Sequence, residues 1–160
     1  SSVFVLLICS RSFKMRYVYP VALEQDEDGQ YVASARDVPE ALTEGDSEAQ
    51  AVEEMGAALA AALAGYSLEG RPLPLPSAAK PGEHTVPVEP LVAAKLAVGS
   101  AMQEQLVSKV ALAQRLGVSE GGIRRLVNPD HASRLDGVVV ALAAIGHGLI
   151  IEDQPKPVAV

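Results

Sequence analysis

SKVALAQRLGVSEGGIRRL, residues Ser108 to Leu126, reads as two short helices joined by a tight turn. Ser108 is placed to cap the first helix, its hydroxyl accepting one of the amides that has no partner inside the helix. Leu112, Ala113 and Leu116 follow at helical steps of three and four, so they share one face. Gly117 can take the positive φ that lets the chain leave sharply. Ser119 is placed to cap a second helix with Ile123 and Leu126 inward. Val118 is expected to plug the angle between the two, and Ala113 to be small because the second helix crosses there at close range.

The ordered set Ala113, Gly117, Val118, Ile123 and Leu126 resembles the helix-turn-helix of the phage-repressor superfamily, over the turn and both helices. The apolar spacing by itself also fits a purely structural helical corner. Local charge favours nucleic acid: from Ser108 to Arg134 five basic residues (Lys109, Arg115, Arg124, Arg125, Arg134) stand against two acids (Glu120, Asp130). The resemblance implies that Ser108, Lys109 and Arg125 hold phosphates. Ser119, Glu120, Gly121, Gly122 and Arg124 would then lie toward the bases or backbone. Gly121-Gly122 departs from the usual pattern, in which polar side chains fill the exposed face. Two glycines weaken a helix by roughly 1 kcal/mol each relative to alanine.

Beyond this stretch, Ser133 and Asp136 suggest a capped start for a helix over Leu135 to Ile145, with Leu135, Val138, Val139, Leu142 and Ile145 inward and Gly146 ending it. Leu149-Ile150-Ile151 reads as a short strand with no partner in its own unit, so it is expected to pair with its copy in a second subunit. Residues 153–160 read as a tail. Before the stretch, Pro90 suits the first turn of a helix from Leu91 to about Gln105, with Leu91, Ala94, Val98 and Met102 inward.

The other half has a different period. Tyr17, Tyr19, Val21 and Leu23 alternate with Val18, Pro20 and Ala22, and Asp28-Gly29 supplies a hairpin turn. A second strand follows at Gln30–Ala35 with Tyr31, Ala33 and Ala35 on one side, and a third at Ala41–Glu44. Pro20 marks its strand as an edge, or at least leaves one amide position unpaired. Ser47-Glu48-Ala49-Gln50 is a capping box opening a helix to about Ala64, with Ala49, Val52, Gly56, Leu59 and Leu63 buried and Gly65 closing it. Pro72 to Pro76 must be extended and could add an edge strand. Residues 79–88 read as a linker.

The formal net charge of −7 is unevenly spread. Residues 15–79 hold three basic residues and twelve acids, whereas residues 80–160 hold eight of each. The acidic half should meet a basic partner, a protein rather than a nucleic acid. A single cysteine, Cys9, excludes an internal disulfide and a multi-thiolate metal site, and the three histidines (His84, His131, His147) have no ligand spacing. No cofactor or metal is expected. The run Val3–Cys9 is too short to span a membrane, and Arg11 and Lys14 follow it rather than precede it as in a secretory signal. Residues 1–14 therefore read as upstream or non-native sequence before Met15, or else as a short extra strand. The expected compartment is the cytoplasm.

YPVALEQDEDGQYVASARDVPEALTEGDSEAQAVEEM (residues 19–55) resembles the N-terminal domain of HicB antitoxins. The matching features are Tyr19-Pro20-Val21, Asp28-Gly29-Gln30-Tyr31-Val32, Asp37-Val38-Pro39, Gly45-Asp46-Ser47 and the proline-rich exit at Pro72–Pro76. With the two-helix motif and Asn128–Asp136, the resemblance covers residues 16 to about 152. It implies an α+β unit (residues 15–78) with a three- to four-stranded antiparallel sheet and one helix, like a truncated ribonuclease H. An all-α helix-turn-helix unit (89–152) with a short terminal dimerisation strand would follow. It also implies an antitoxin that covers a HicA-like toxin, a small basic ribonuclease, and represses its own operon as a homodimer or higher homo-oligomer on palindromic operator DNA. Asp37, Glu40 and Glu44 are the candidate toxin contacts. Asp26, Glu27, Asp28, Asp37 and Asp46 invite a metal-dependent nuclease reading. They sit in turns and at a helix start, however, not in converging strand interiors, so no catalysis is expected. The rival reading is a stand-alone helix-turn-helix regulator with a ligand-sensing N-terminal domain.

Overall fold

The computed structural model describes residues 14–156. The expected extension at residues 1–14 lies, apart from Lys14, outside the described residues.

Four strands form one antiparallel sheet in the order β3-β2-β1-β4: β1 Val18–Gln25, β2 Tyr31–Ala35, β3 Leu42–Gly45 and β4 His84–Pro87. The alternation read from the sequence sets the faces: Tyr19, Val21, Ala33, Ala35 and Val86 are all buried under the helix α1, Glu48–Leu68. That helix contributes Ala51, Val52, Met55, Leu59, Ala60 and Leu63 to the same core. Ser47 caps it, its Oγ accepting the Gln50 amide at 3.1 Å, while the Gln50 side chain accepts the Asp46 amide at 2.7 Å. Gly56 lets α1 approach β4 closely, since a Cβ there would stand 3.1 Å from the Pro87 carbonyl oxygen.

Several expectations need correcting. The presumed linker contains β4, so the sheet takes its fourth strand from residues beyond the proline-rich exit; Pro72–Pro76 is extended but is no strand. Short and with a proline at its end, β4 carries little apolar period of its own. Consequently β1 is central, not an edge. Its residues Val18–Val21 pair with β4 and Val21–Gln25 pair with β2. The Val88 amide donates to the Tyr17 carbonyl at 2.9 Å, which makes Pro20–Thr85 a non-hydrogen-bonded pair toward β4. The nitrogen of Pro20 therefore points to the β2 side, where the ladder stops at Val21–Ala35. Helix α1 also runs through Gly65 for a further turn, because Tyr66 anchors that turn to Glu40 and stacks under Arg71, 4.1 Å from the guanidinium carbon to the ring centroid.

Four further helices follow: α2 Pro90–Gln105, α3 Lys109–Leu116, α4 Glu120–Val127 and α5 Leu135–Ala144. Helix α2 serves two cores. Leu96 is buried with the sheet and α1, while Ala94, Val98, Ala101 and Met102 join a second core with Leu112, Ala113, Ile123, Val138, Ala141, Leu142 and Ile145. Tyr17 also reaches across to Ser100 on α2, and burial pushes its phenol up to about 12. On α5 the buried face is Val138, Ala141, Leu142 and Ile145; Leu135 and Val139, expected inward, are 40 % and 37 % exposed. The predicted Ser133–Asp136 capping box is absent too: Arg134 is the N-cap without a side-chain bond, and Asp136 accepts the adjacent Gly137 amide.

Helices α1, α2, α3 and α5 end alike. A residue at positive φ (Gly70, Leu106, Gly117 and Gly146) follows the last turn, and its amide and the next return to carbonyls of that turn. In α2 the residue is a leucine, Leu106, at φ 56° and 92 % exposed. Leu149–Ile151, expected as a strand paired with its copy in a second subunit, carries no regular structure in the single chain.

Candidate functional site

The two-helix unit is built as its sequence suggests. Ser108 Oγ accepts the Ala111 amide at 3.0 Å and Ser119 Oγ accepts the Gly122 amide at 3.0 Å. Gly117 at φ 67° closes α3, with its amide on Gln114 and the Val118 amide on Ala113. Leu112, Ala113 and Ile123 are buried. Val118 is not the expected plug: the backbone bonds close the turn, and the residue is 50 % exposed.

Sequence reasoning missed Lys95, on α2, which is fully buried. Its ammonium donates to the carbonyl oxygens of Arg125 (3.3 Å), Asn128 (2.9 Å) and His131. A lysine has three donors, and here all three are used on the C-terminal end of α4 and the loop after it. The acceptors suit a cation, since carbonyls left over at a helix end carry its negative dipole. Burial pulls the ammonium below the usual lysine range. Lys95 thus fixes where α4 ends and how it stands on α2. The sequence offered one faint signal, a lysine inside the otherwise small and apolar run Leu91–Val98.

The outer side of α3 and α4 is cationic. Lys109, Arg124 and Arg125 are exposed. Arg124 is half neutralised by Glu120 one turn earlier (2.6 Å), whereas Arg125 makes no ion pair among the described residues. Gly121 and Gly122 lie between them with ordinary helical φ. A Cβ at Gly121 would come no nearer than 3.6 Å to Arg125 Nη1, and one at Gly122 no nearer than 3.4 Å to Ser119 Oγ. Among the described residues, no packing contact requires glycine at either place.

The candidate toxin contacts scatter. The Asp37 carboxylate accepts the Ser77 amide (2.8 Å) and hydroxyl (2.7 Å). Arg36 beside it binds Glu83 through two nitrogens, at 2.9 and 3.1 Å. This brace ties the proline-rich exit and the start of β4 to the end of β2, and it holds the Glu83 carboxyl down at about 2. Glu40 accepts the Tyr66 hydroxyl at 2.9 Å. Glu44 is exposed on the sheet face opposite α1, paired in register with Val32. Of the other front carboxylates, Asp26 accepts two amides within its own turn, and Asp46 accepts from Gln30. Among the described residues no three side chains of metal-ligating type converge. No described helix is long and apolar enough to cross a membrane.

Comparison with known proteins adds the lineage. A family model described as "HicB_like antitoxin of bacterial toxin-antitoxin system" matches residues 18–97, the sheet, α1 and the first half of α2. Antitoxin HicB of Escherichia coli (strain K12) is 36% identical over 131 residues, covering 82% of this chain and 95% of that protein. Antitoxin HicB 1 of Photorhabdus laumondii is 35% identical over 133 residues (83% and 84%), and antitoxin HicB of Pseudomonas fluorescens is 32% identical over 136 residues (84% and 93%). The matches run well beyond the sheet unit and into the helices that carry the cationic surface. The chain belongs to the HicB-like antitoxin family.

Proposed function

We propose that the protein neutralises a HicA-like ribonuclease toxin by covering its active site, and that it represses its own operon through α3 and α4. Support for the first part is the family together with an acidic sheet unit, complementary to a basic partner. The truncated ribonuclease H-like reading of that unit belongs to the same proposal and implies no catalysis. The observation that carries the second part is the half-buried pair Gly121-Gly122 at the start of α4, beside exposed Arg124 and Arg125, with exposed Lys109 on α3. Glycines that the chain's own packing does not need, on a cationic surface, leave room for a phosphate backbone to approach closely. In this reading Ser108 and Lys109 contact phosphate at the start of α3, where helix amides and dipole favour anions. Arg125 neutralises a second phosphate, while Ser119, Glu120 and Arg124 border the bases.

The same proposal needs a second copy. Exposed Leu149, Ile150 and Ile151, with Leu135 and Val139 on α5, supply apolar surface for a homodimer that would set two α4 helices on half-sites about one DNA turn apart. The test is a gel shift on the DNA upstream of the gene, at low salt. Lys109→Ala and Arg124→Ala should each weaken the shift and leave neutralisation of the toxin intact; unchanged shifts would remove α3 and α4 from the DNA.

A further inference from the structure

The described part of the expected tail, through Lys156, does not run free. After α5 the chain crosses back to the sheet unit and lies over the outer edge of β4. Arg16 pairs with Glu152 at 2.8 Å, Gln154 Nε2 donates to the Thr85 carbonyl at 2.6 Å, and Lys156 pairs with Glu53 on α1. Pro155 and Lys156 line a groove with Val52, Gly56, Val86 and Val88 at its base.

This edge is open to a side-chain strap and poorly suited to another strand. Because Pro20–Thr85 is a non-hydrogen-bonded pair, the Thr85 amide and carbonyl face outward. Pro87, in the same phase, has no amide to offer. Gln154 meets the outward carbonyl with its side-chain amide, and Pro155 cannot donate in a ladder either. The groove rim carries two carboxylates outside the Arg36 brace, Glu53 and Glu89, and the tail brings a lysine to it. An exposed edge is a place where chains join, and covering it is one way proteins prevent that.

We infer that the groove between the β4 edge and α1 is a docking surface for an extended, lysine-bearing segment, and that residues Glu152–Lys156 of the same chain fill it. The docked tail closes the open edge and makes a second tie, besides α2, between the two cores. Neither toxin nor DNA enters this argument, so its failure would leave the proposed function standing.

The contact can be read in the intact protein with a carbodiimide, which joins a touching ammonium and carboxylate as an amide with loss of water. The native chain should yield a Glu53–Lys156 linked peptide, located by mass spectrometry. Glu53→Gln should abolish that link, and the exchange Glu53→Lys with Lys156→Glu should restore one of opposite polarity. Unfolding light and heavy-isotope chains together and refolding the mixture before reaction scrambles any dimer and separates the sources: linked peptides of one isotope alone place the tail on its own chain. Linked peptides of mixed isotope, or no link in the native protein, would overturn the inference.

Discussion

The two cores spend their charged side chains in opposite ways. Around the sheet, many are fastened to the chain's own groups: Arg36 with Glu83, Asp37 with Ser77, Asp26 within its turn, Glu40 with Tyr66. Around α3 and α4, Lys109 and Arg125 stand in solvent, and one cation, Lys95, is buried on carbonyls behind them. A charge fastened in this way holds the fold, whereas an unengaged one on a rigid helix is available to a partner. Net charge therefore marks which half would meet phosphate, but it does not say which acids would meet a protein.

The largest expected effect comes from the buried cation. Lys95→Met keeps the volume but leaves the Arg125 and His131 carbonyl oxygens without a donor, while Asn128 keeps the His131 amide, at about 1–3 kcal/mol for a buried group left unsatisfied. A total loss of about 2 kcal/mol or more should appear in urea unfolding. A loss below 1 kcal/mol would mean that water replaces the ammonium and that α4 is not held from behind.

Next comes the exposed cationic surface. Each of Lys109→Ala and Arg125→Ala should lower operator affinity and reduce the slope of log affinity against log salt by about 1, as for one lost phosphate contact. Unfolding midpoints should stay where they were. If the slope is unchanged, these side chains only decorate a helical corner.

The glycines sharpen the contrast, because stability and binding should move in opposite directions. Gly121→Ala should raise stability by up to about 1 kcal/mol and weaken the gel shift. Leu106→Gly should also stabilise, by about 1 kcal/mol, since it relieves a left-handed leucine, but without touching DNA binding. The smallest effect concerns the sheet-side brace. Glu83 is held at about 2, below the ordinary 4.5, so its contribution is present above pH 4.5 and is lost as pH falls toward 2. Arg36→Gln should flatten that limb of the acid-unfolding curve, and an unchanged limb would exclude the brace.

How far the chain could be read in advance follows from which interactions are local. Caps at Ser47, Ser108 and Ser119, the stop at Gly117 and the alternation of Tyr17 to Leu23 each depend on near neighbours, and each is found where the pattern places it. Gly65 and Gly70 show the limit. Both can end a helix, and only the distant contacts of Tyr66 decide in favour of the second. β4 has little signal of its own because its pairing with β1, more than sixty residues back, creates the strand. The role of Lys95 depends on carbonyls thirty or more residues away, and Val118 stays exposed because backbone bonds rather than a side chain close its turn. Among the candidate site residues, the caps and cations of α3 and α4 were legible. The acids were not, since whether a carboxylate is fastened depends on what tertiary folding brings beside it.

The proposed function requires two binding surfaces that work independently in one chain. A fragment ending near residue 78 cannot test this, because it would lack β4 and Leu96. The direct measurement uses the full chain: the ribonuclease activity of the cognate basic toxin is titrated with native protein and with the Lys109→Ala/Arg125→Ala variant. The account predicts equal quenching at equal molar ratio, although the variant no longer shifts operator DNA. A folded variant that fails to quench the toxin would contradict it.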